Sequence, residues 1–249
     1  GHMPGWCPPI DMVGPFRPIT ISDPAIDPIR DVRLDATYDG IDGHLAASLV
    51  FEGAHVPASA RLLCAGCETT LTPGPDGAFT GEVALAGIAP WWPATHGDPA
   101  LHAVEVEIDG VRFALGRVGF RRIEVDRGPD GNGFGLVVNG VPVFARGSVW
   151  VPPDMVGLAG DRATLEPELT RMRDAGLNMV RVPGIATYEA EAFHDLCDEL
   201  GLMVWQDLMF ANFDYPAADP DFVAAARAET REVAARLARH PSSAVVCGG

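Results

Sequence analysis

Three residues of this chain combine a binding side chain with a position that could use it. Arg181 lies in Leu177-Asn178-Met179-Val180-Arg181-Val182, and Asp207 lies in the longer run from Leu200 to Phe210, just after Trp205 and Gln206. Trp150 follows Gly147-Ser148-Val149 and stands shortly before Pro152 and Pro153. An arginine presents a planar fork that matches a carboxylate, although at a strand end it can also be a plain surface cation. Asp207 can accept hydrogen bonds in a site, or cap the following turn. Trp150 can offer an aromatic face or pack in a core, and the prolines that open a loop behind it favour the exposed role.

These residues depend on the elements that carry them. Each run is short and apolar, ends in polar or aromatic groups, and follows a helix-like segment closed by glycine. Barrel strands have this form when their C-terminal ends carry a site. Pro167 marks a helix start, Leu165, Leu169 and Met172 share one face, and Gly176 ends that helix. Phe193, Leu196, Cys197 and Leu200 follow the next helical stripe, with Thr187 as its cap and Gly201 as its terminator. Asp219-Pro220 opens a third helix, on which Val223, Ala226, Thr230, Val233 and Leu237 recur at helical steps, and Pro241 lies past its end. His194 reads as an edge residue of the second helix, and Glu189 and Glu191 as first-turn charges favoured by the helix dipole. Strands are expected near 143–147, 178–182, 202–206 and 244–247. Alternation of this kind implies parallel strands with right-handed helical crossovers, about half of an eightfold barrel.

Before residue 123 the pattern is different. Val32, Leu34, Ala36 and Tyr38 alternate with polar residues, as do Leu45, Ala47, Leu49 and Phe51. Val104, Val106 and Ile108 alternate again before Asp109-Gly110 turns the chain into Val111, Phe113 and Leu115. Period-two runs joined by Asp-Gly mark half-buried antiparallel strands. Roughly seven of them in this space suit a β-sandwich of immunoglobulin-like size. Asn139-Gly140, inside Phe134–Phe144, predicts a further hairpin. Residues 4–27 are proline-rich and read as a linker or a tail, with Phe16–Ile21 extended. The fold class expected is therefore multidomain: an all-β immunoglobulin-like sandwich over 28–122, then an incomplete α/β barrel of the TIM type over 123–249.

Composition narrows the partners. The 249 residues carry a formal net charge of −16, and 47% are hydrophobic. Such acidity argues against nucleic acid and anionic membranes, which need basic patches, and no segment approaches a transmembrane run. Gly1-His2-Met3 reads as a tag remnant, and nothing after it resembles a signal peptide; a cytoplasmic setting is favoured. Five scattered cysteines make no disulfide framework. Cys64-Ala65-Gly66-Cys67 is a lone CxxC without a second ligand pair, and it does not open a helix. It reads as a loop or strand end rather than a metal or redox motif.

Several segments in order resemble the β-mannosidase branch of glycoside hydrolase family 2. Val13-Gly14-Pro15-Phe16-Arg17-Pro18-Ile19 is similar to the last strand of that family's first, sugar-binding domain. Pro90-Trp91-Trp92-Pro93 with His96-Gly97 resembles a Trp-Trp-Pro segment near the end of its sandwich, and Val118-Gly119-Phe120-Arg121 resembles the motif that follows. Asn139-Gly140 through Arg146–Pro152, then Asn178 through Phe210, match motifs of its first three barrel strands. The chain departs from these motifs at Val149 and at Pro183-Gly184-Ile185-Ala186, both where strands would end at the sugar. Trp91 and Trp92 read as packing residues rather than a carbohydrate surface.

This resemblance implies a retaining glycosidase acting on terminal β-mannosides without cofactor or metal, with residues 1–27 as tag remnant plus the tail of a preceding sugar-binding domain. Such enzymes need two carboxyl groups about 5–5.5 Å apart. The family places its acid/base glutamate after an Asn just beyond the fourth strand, and its nucleophile near the seventh. Both positions are expected past Gly249, so no catalytic residue is expected within the chain and no hydrolysis by it alone. Arg181 is implied to hold the nucleophile, Asp207 to bond sugar hydroxyls or orient the site, and Trp150 to contact the sugar. A related β-galactosidase- or β-glucuronidase-like specificity, and a non-catalytic carbohydrate-associated module, are the alternatives. An incomplete barrel would leave open strand edges through which copies could self-associate.

Overall fold

The computed structural model describes residues 19, 21, 28–51, 56–155, 157, 158, 160–185, 187–211 and 214–248. The expected linker over 4–27 lies almost wholly outside them, as do Cys7, Ala186 and Gly249. The protein is mostly β-sheet with few helices and divides into two compact units. One is built from Ile19–Trp91 and Ala100–Val143, the other from Trp92–Pro99 and Phe144 onward. No helix among the described residues is long and apolar enough to cross a membrane.

The first unit begins with β1 (Ile29–Tyr38), β2 (Gly43–Phe51), β3 (Ala60–Cys64) and β4 (Cys67–Thr70). It continues with β5 (Thr72–Pro73), β6 (Phe79–Leu85), β7 (His102–Ile108) and β8 (Val111–Val118). These form two antiparallel four-stranded sheets, ordered β1-β2-β6-β5 and β4-β3-β7-β8. Alternation determines what turns inward: Leu45, Leu49 and Phe51 from β2, and Val104, Val106 and Ile108 from β7, enter one shared core with Leu62 and Phe120. Asp109 and Gly110, with φ of 48° and 84°, make the two-residue turn that their types predict. A third sheet, β11-β10-β9, comprises β9 (Ile123–Asp126), β10 (Gly135–Val138) and β11 (Val141–Val143). Asn139-Gly140 closes its hairpin, and the Asn139 side chain accepts from Arg122 N and donates to the Trp91 carbonyl. Trp91 itself is fully buried, which agrees with a packing role.

In the second unit, β12 (Gly147–Val149), α1 (Arg162–Asp174), β13 (Met179–Val182), α2 (Glu191–Leu200), β14 (Met203–Asp207), α3 (Pro220–Ala238) and β15 (Ser243–Cys247) follow in turn. The four strands form a parallel sheet in sequence order. Val180, Val182 and Val204 pack against Leu165, Leu169, Phe193 and Leu196 of the helices in a second core. The stripe expected on α3 faces inward, with Val233 and Leu237 fully covered. Gly201 ends α2 in the left-handed conformation, and a Cβ there would stand 2.6 Å from Ala94 N. Trp92 packs its indole over Gly97, where a Cβ would come within 2.9 Å of the ring.

Some local expectations need correction. The first parallel strand starts at Gly147 rather than near 143, because Asn178 intercepts the chain ahead of it. Its side chain accepts from Arg146 N at 2.8 Å and donates to the Phe144 carbonyl at 3.1 Å. Helix α1 starts at Arg162, not at Pro167, because Asp161 caps it through Thr164 N at 3.0 Å. Pro167 sits inside the helix instead. Thr187 caps nothing: Ala190 occupies the N-cap of α2, without a side-chain cap bond. His194 is not at an edge but fully buried, its ring between Phe193 and His240 at 5.2 and 5.1 Å. Glu189 precedes the helix and is buried, so only Glu191 is a first-turn charge.

Candidate functional site

The parallel register places Val149 beside Arg181 and Arg181 beside Trp205, and places Asp207 beside Cys247. The residues singled out by sequence therefore collect at the C-terminal ends of neighbouring strands. Arg181 and Asp207 meet directly. Arg181 Nη2 donates to Asp207 Oδ2 at 2.6 Å, and Nε donates to both carboxylate oxygens at 3.1 and 3.3 Å. The pair is asymmetric: the Asp207 side chain is 2% exposed and that of Arg181 is 47% exposed. A buried carboxylate thus anchors a guanidinium whose outer part faces solvent. The hydrogen bonds that Arg181 donates to Asp207, opposed by partial burial and helped by the carboxylate's charge, raise the Arg181 pKa above the ordinary arginine value. The guanidinium also lies 5.8 Å from the centre of the Trp205 ring, within cation–π range. Nη1 has no hydrogen-bond partner among the described residues and is available for a second acceptor.

Trp150 takes a different place. Its ring is 5% exposed, joins the helix-facing core, and packs tilted on Phe193 at 5.1 Å. Its indole N–H donates to Glu189 Oε1 at 2.9 Å, and its backbone N–H donates to the Arg181 carbonyl at 2.7 Å. Trp150 thereby ties the end of β12 to the backbone that carries Arg181, rather than meeting the Arg181–Asp207 pair with its ring. Asp207, for its part, spends its carboxylate on Arg181, with no turn-capping bond among the described residues.

Sequence reasoning did not anticipate Glu189 or its neighbour. The Tyr188 hydroxyl donates to Glu229 on α3 and accepts from Met209 N at 3.1 Å. Gly184 lies so close to the Leu208 carbonyl that a side chain there would collide with it. The segment that follows β13 is therefore held against the ends of β12 and β14 and against α3. Tyr188 and Glu189 fall within the Asn178–Phe210 stretch that resembles the family motif, but the absence of periodicity there hides which groups they meet.

A second buried polar group lies away from these strand ends. His240 Nδ1 pairs with Asp198 Oδ2 at 2.7 Å and Nε2 with Glu191 Oε1 at 3.3 Å, while Ser242 N donates to Asp198 Oδ1 at 3.0 Å. Burial disfavours the imidazolium, but the two carboxylates outweigh it and hold the His240 pKa at about 9. Asp195, Asp198 and His240 offer ligand atoms within 4.8 Å of one another. The His240–Asp198 bond already occupies the geometry that a metal would need, so the cluster reads as an ion pair.

No protein-family model matches the chain. Its sequence is 41% identical to a β-mannosidase of Bos taurus over 160 residues, 61% of this chain and 18% of that protein. It is 39% identical to β-mannosidase B of Aspergillus clavatus over 166 residues, 64% of this chain and 19% of that protein. The chain thus spans about a fifth of the length of the curated relatives it matches. Among solved structures, a β-D-mannosidase from Dictyoglomus thermophilum superposes with a TM-score of 0.72 at 29% identity, covering 87% of this chain and 29% of that one. A β-glucuronidase of Bacteroides uniformis shares the fold, with a TM-score of 0.70 at 22% identity, covering 88% of this chain and 27% of that one.

Proposed function

We propose that this β-mannosidase-like chain supplies the sandwich and the first half of the catalytic barrel of a retaining glycoside hydrolase that cleaves terminal β-mannosides. On this reading, residues 28–122 are the immunoglobulin-like sandwich and 123–249 the opening half of an eightfold α/β barrel, with 1–27 a tag remnant plus the linker or tail of a preceding sugar-binding domain. The observation that carries the functional reading is the Arg181–Asp207 pair at the C-terminal ends of adjoining parallel strands, in a sequence 36–41% identical to β-mannosidases. Sites of such barrels lie at that end.

The roles proposed follow from the geometry. Asp207 fixes the guanidinium through Nε and Nη2, and Nη1 is left to hold a nucleophilic carboxylate in its ionised form. Trp150 acts on the sugar site through its hold on the Arg181 backbone and the wall it forms with Glu189. The acid/base and nucleophile carboxylates are supplied by residues other than these 249, and no cofactor is required. Strands β12 and β15, the edges of the parallel sheet, pair with further strands in the complete enzyme and offer a route to self-association in the isolated chain.

Nitrophenyl β-mannoside, β-galactoside and β-glucuronide should be offered both to this chain and to the product of the reading frame that contains it. The expected result is no turnover by the chain and release from the mannoside by the longer product. A longer product that binds mannosides without cleaving them would establish the non-catalytic module instead.

A further inference from the structure

The CxxC segment, which the glycosidase reading leaves unused, folds as a tight hairpin. Register pairs Cys64 at the end of β3 with Cys67 at the start of β4, and both thiols are free. Ala65 and Gly66, with φ of 47° and 81°, make the two-residue turn between them. Directly opposed residues of an antiparallel pair project from the same face of the sheet. Here that face is the core side: Cys64 is 2% exposed, and Cys67 packs half-buried against the same cluster. Opposed Cα atoms stand about 4.5–5.5 Å apart, inside the roughly 4.4–6.8 Å that a disulfide spans. Bridging the pair thus requires rotation of two side chains and no displacement of one strand against another.

We propose that Cys64 and Cys67 are a modification site, closing a reversible disulfide across the β3–β4 turn by exchange with a low-molecular-weight disulfide. Cys67 is the sulfur a donor can reach, because it is the less buried of the two and β4 is an edge strand of its sheet. Its thiolate attacks one sulfur of the donor RSSR, forming a Cys67–S–S–R bond and releasing RS⁻. Cys64 then gives up its proton and attacks Cys67 Sγ, expelling the second RS⁻. Two protein thiols become one disulfide, one donor disulfide becomes two thiols, and the two protons lost by the protein are taken up by the released thiolates. Burial beside Cys67 pushes the Cys64 thiol up to about 11, so the second step is the slow one and accelerates as pH rises. The loop that the bond closes is only a turn, so the bond constrains the unfolded chain little and stays reducible.

The test uses the whole chain in buffers of oxidised and reduced glutathione at graded ratios, quenched with acid, alkylated and digested with trypsin. Both cysteines fall in one peptide, bounded by Arg61 and Arg112. The expected result is a peptide lighter by two hydrogen atoms that takes no alkyl group at oxidising ratios and returns to two alkyl groups at reducing ones. Cys64→Ala should instead accumulate a glutathione adduct on Cys67. Full alkylation of both cysteines at every ratio, an unresolved adduct on wild-type Cys67, or pairing with any other cysteine would overturn the proposal. Should circular dichroism show Cys64→Ala unfolded, Cys67→Ala gives the reciprocal reading: no adduct supports the proposed order of attack, and an adduct on Cys64 refutes it.

Discussion

Asp198→Asn should destabilise this protein in a way that depends on pH, and the structure sets both the size and the sign. Asp198 accepts from His240 Nδ1 and from Ser242 N, all three groups being buried. The His240 pKa rises from 6.5 to about 9 because the bonds to Asp198 and Glu191 exceed the opposing effect of burial. At about 1.4 kcal/mol per pH unit, that gap is worth on the order of 3 kcal/mol to the folded state. A group whose folded pKa is raised contributes fully below its unfolded value, and the contribution fades as pH rises through the folded one. The stabilisation is therefore complete below about 6.5 and lost through about 9. Asparagine keeps the shape and an acceptor for Ser242 N but leaves the imidazolium with Glu191 alone, against its burial. Urea unfolding of wild type and variant should differ by about 3 kcal/mol near pH 6 and by about 1 kcal/mol or less near pH 10, where only a hydrogen bond is weakened. A difference independent of pH would show that His240 is neutral in the fold and that the ion pair does not exist.

Other outcomes can be checked alongside. Glu191, held down to about 2 chiefly by its bond to His240 against burial, should add a second, acid limb: its stabilisation is present above 4.5 and lost as pH falls towards 2, seen as a falling unfolding midpoint in acid titrations. Glu189→Ala should cost about 1–3 kcal/mol by leaving the Trp150 indole N–H buried without its acceptor, measured as a shift in the urea midpoint with altered tryptophan fluorescence. In the longer enzyme proposed above, Arg181→Ala should lower kcat about 10²–10³-fold, the usual loss for a preorganised charge-stabilising group, and should also lower the thermal midpoint, because it leaves the buried Asp207 carboxylate without its cation. Limited proteolysis of the isolated chain should cut after about residue 123 before it cuts the sandwich, or light scattering should report association through the open sheet edges. A uniformly resistant monomer would contradict the half-barrel proposed above.

Local grammar was legible where one physical rule acts alone. Leu45, Leu49, Val104 and Val106 alternate with polar residues because a strand presents its side chains to opposite faces, and all are buried. Asp109-Gly110 and Asn139-Gly140 made turns because few residues tolerate positive φ. The stripes Phe193–Leu200 and Val223–Leu237 were readable because helical spacing puts them on one side. Starts of elements were less legible: Asp161 beat Pro167 and Asn178 displaced the first parallel strand, because side-chain hydrogen bonds to backbone groups decide boundaries and leave no periodic trace.

By itself the sequence determined which segments are strands and helices, that the sheet of the second half is parallel, and that Arg181 and Asp207 stand at strand ends, since these follow from periodicity and from the order of elements along the chain. Only the tertiary structure decided that Asp207 binds Arg181 rather than capping a turn, that Trp150 turns its ring into the core, and that Glu189 and His240 are buried in polar partnerships with Trp150 and Asp198. Each of these depends on which groups from distant positions become neighbours once the strands are in register. Burial then makes an unpaired polar atom costly enough to dictate the pairing.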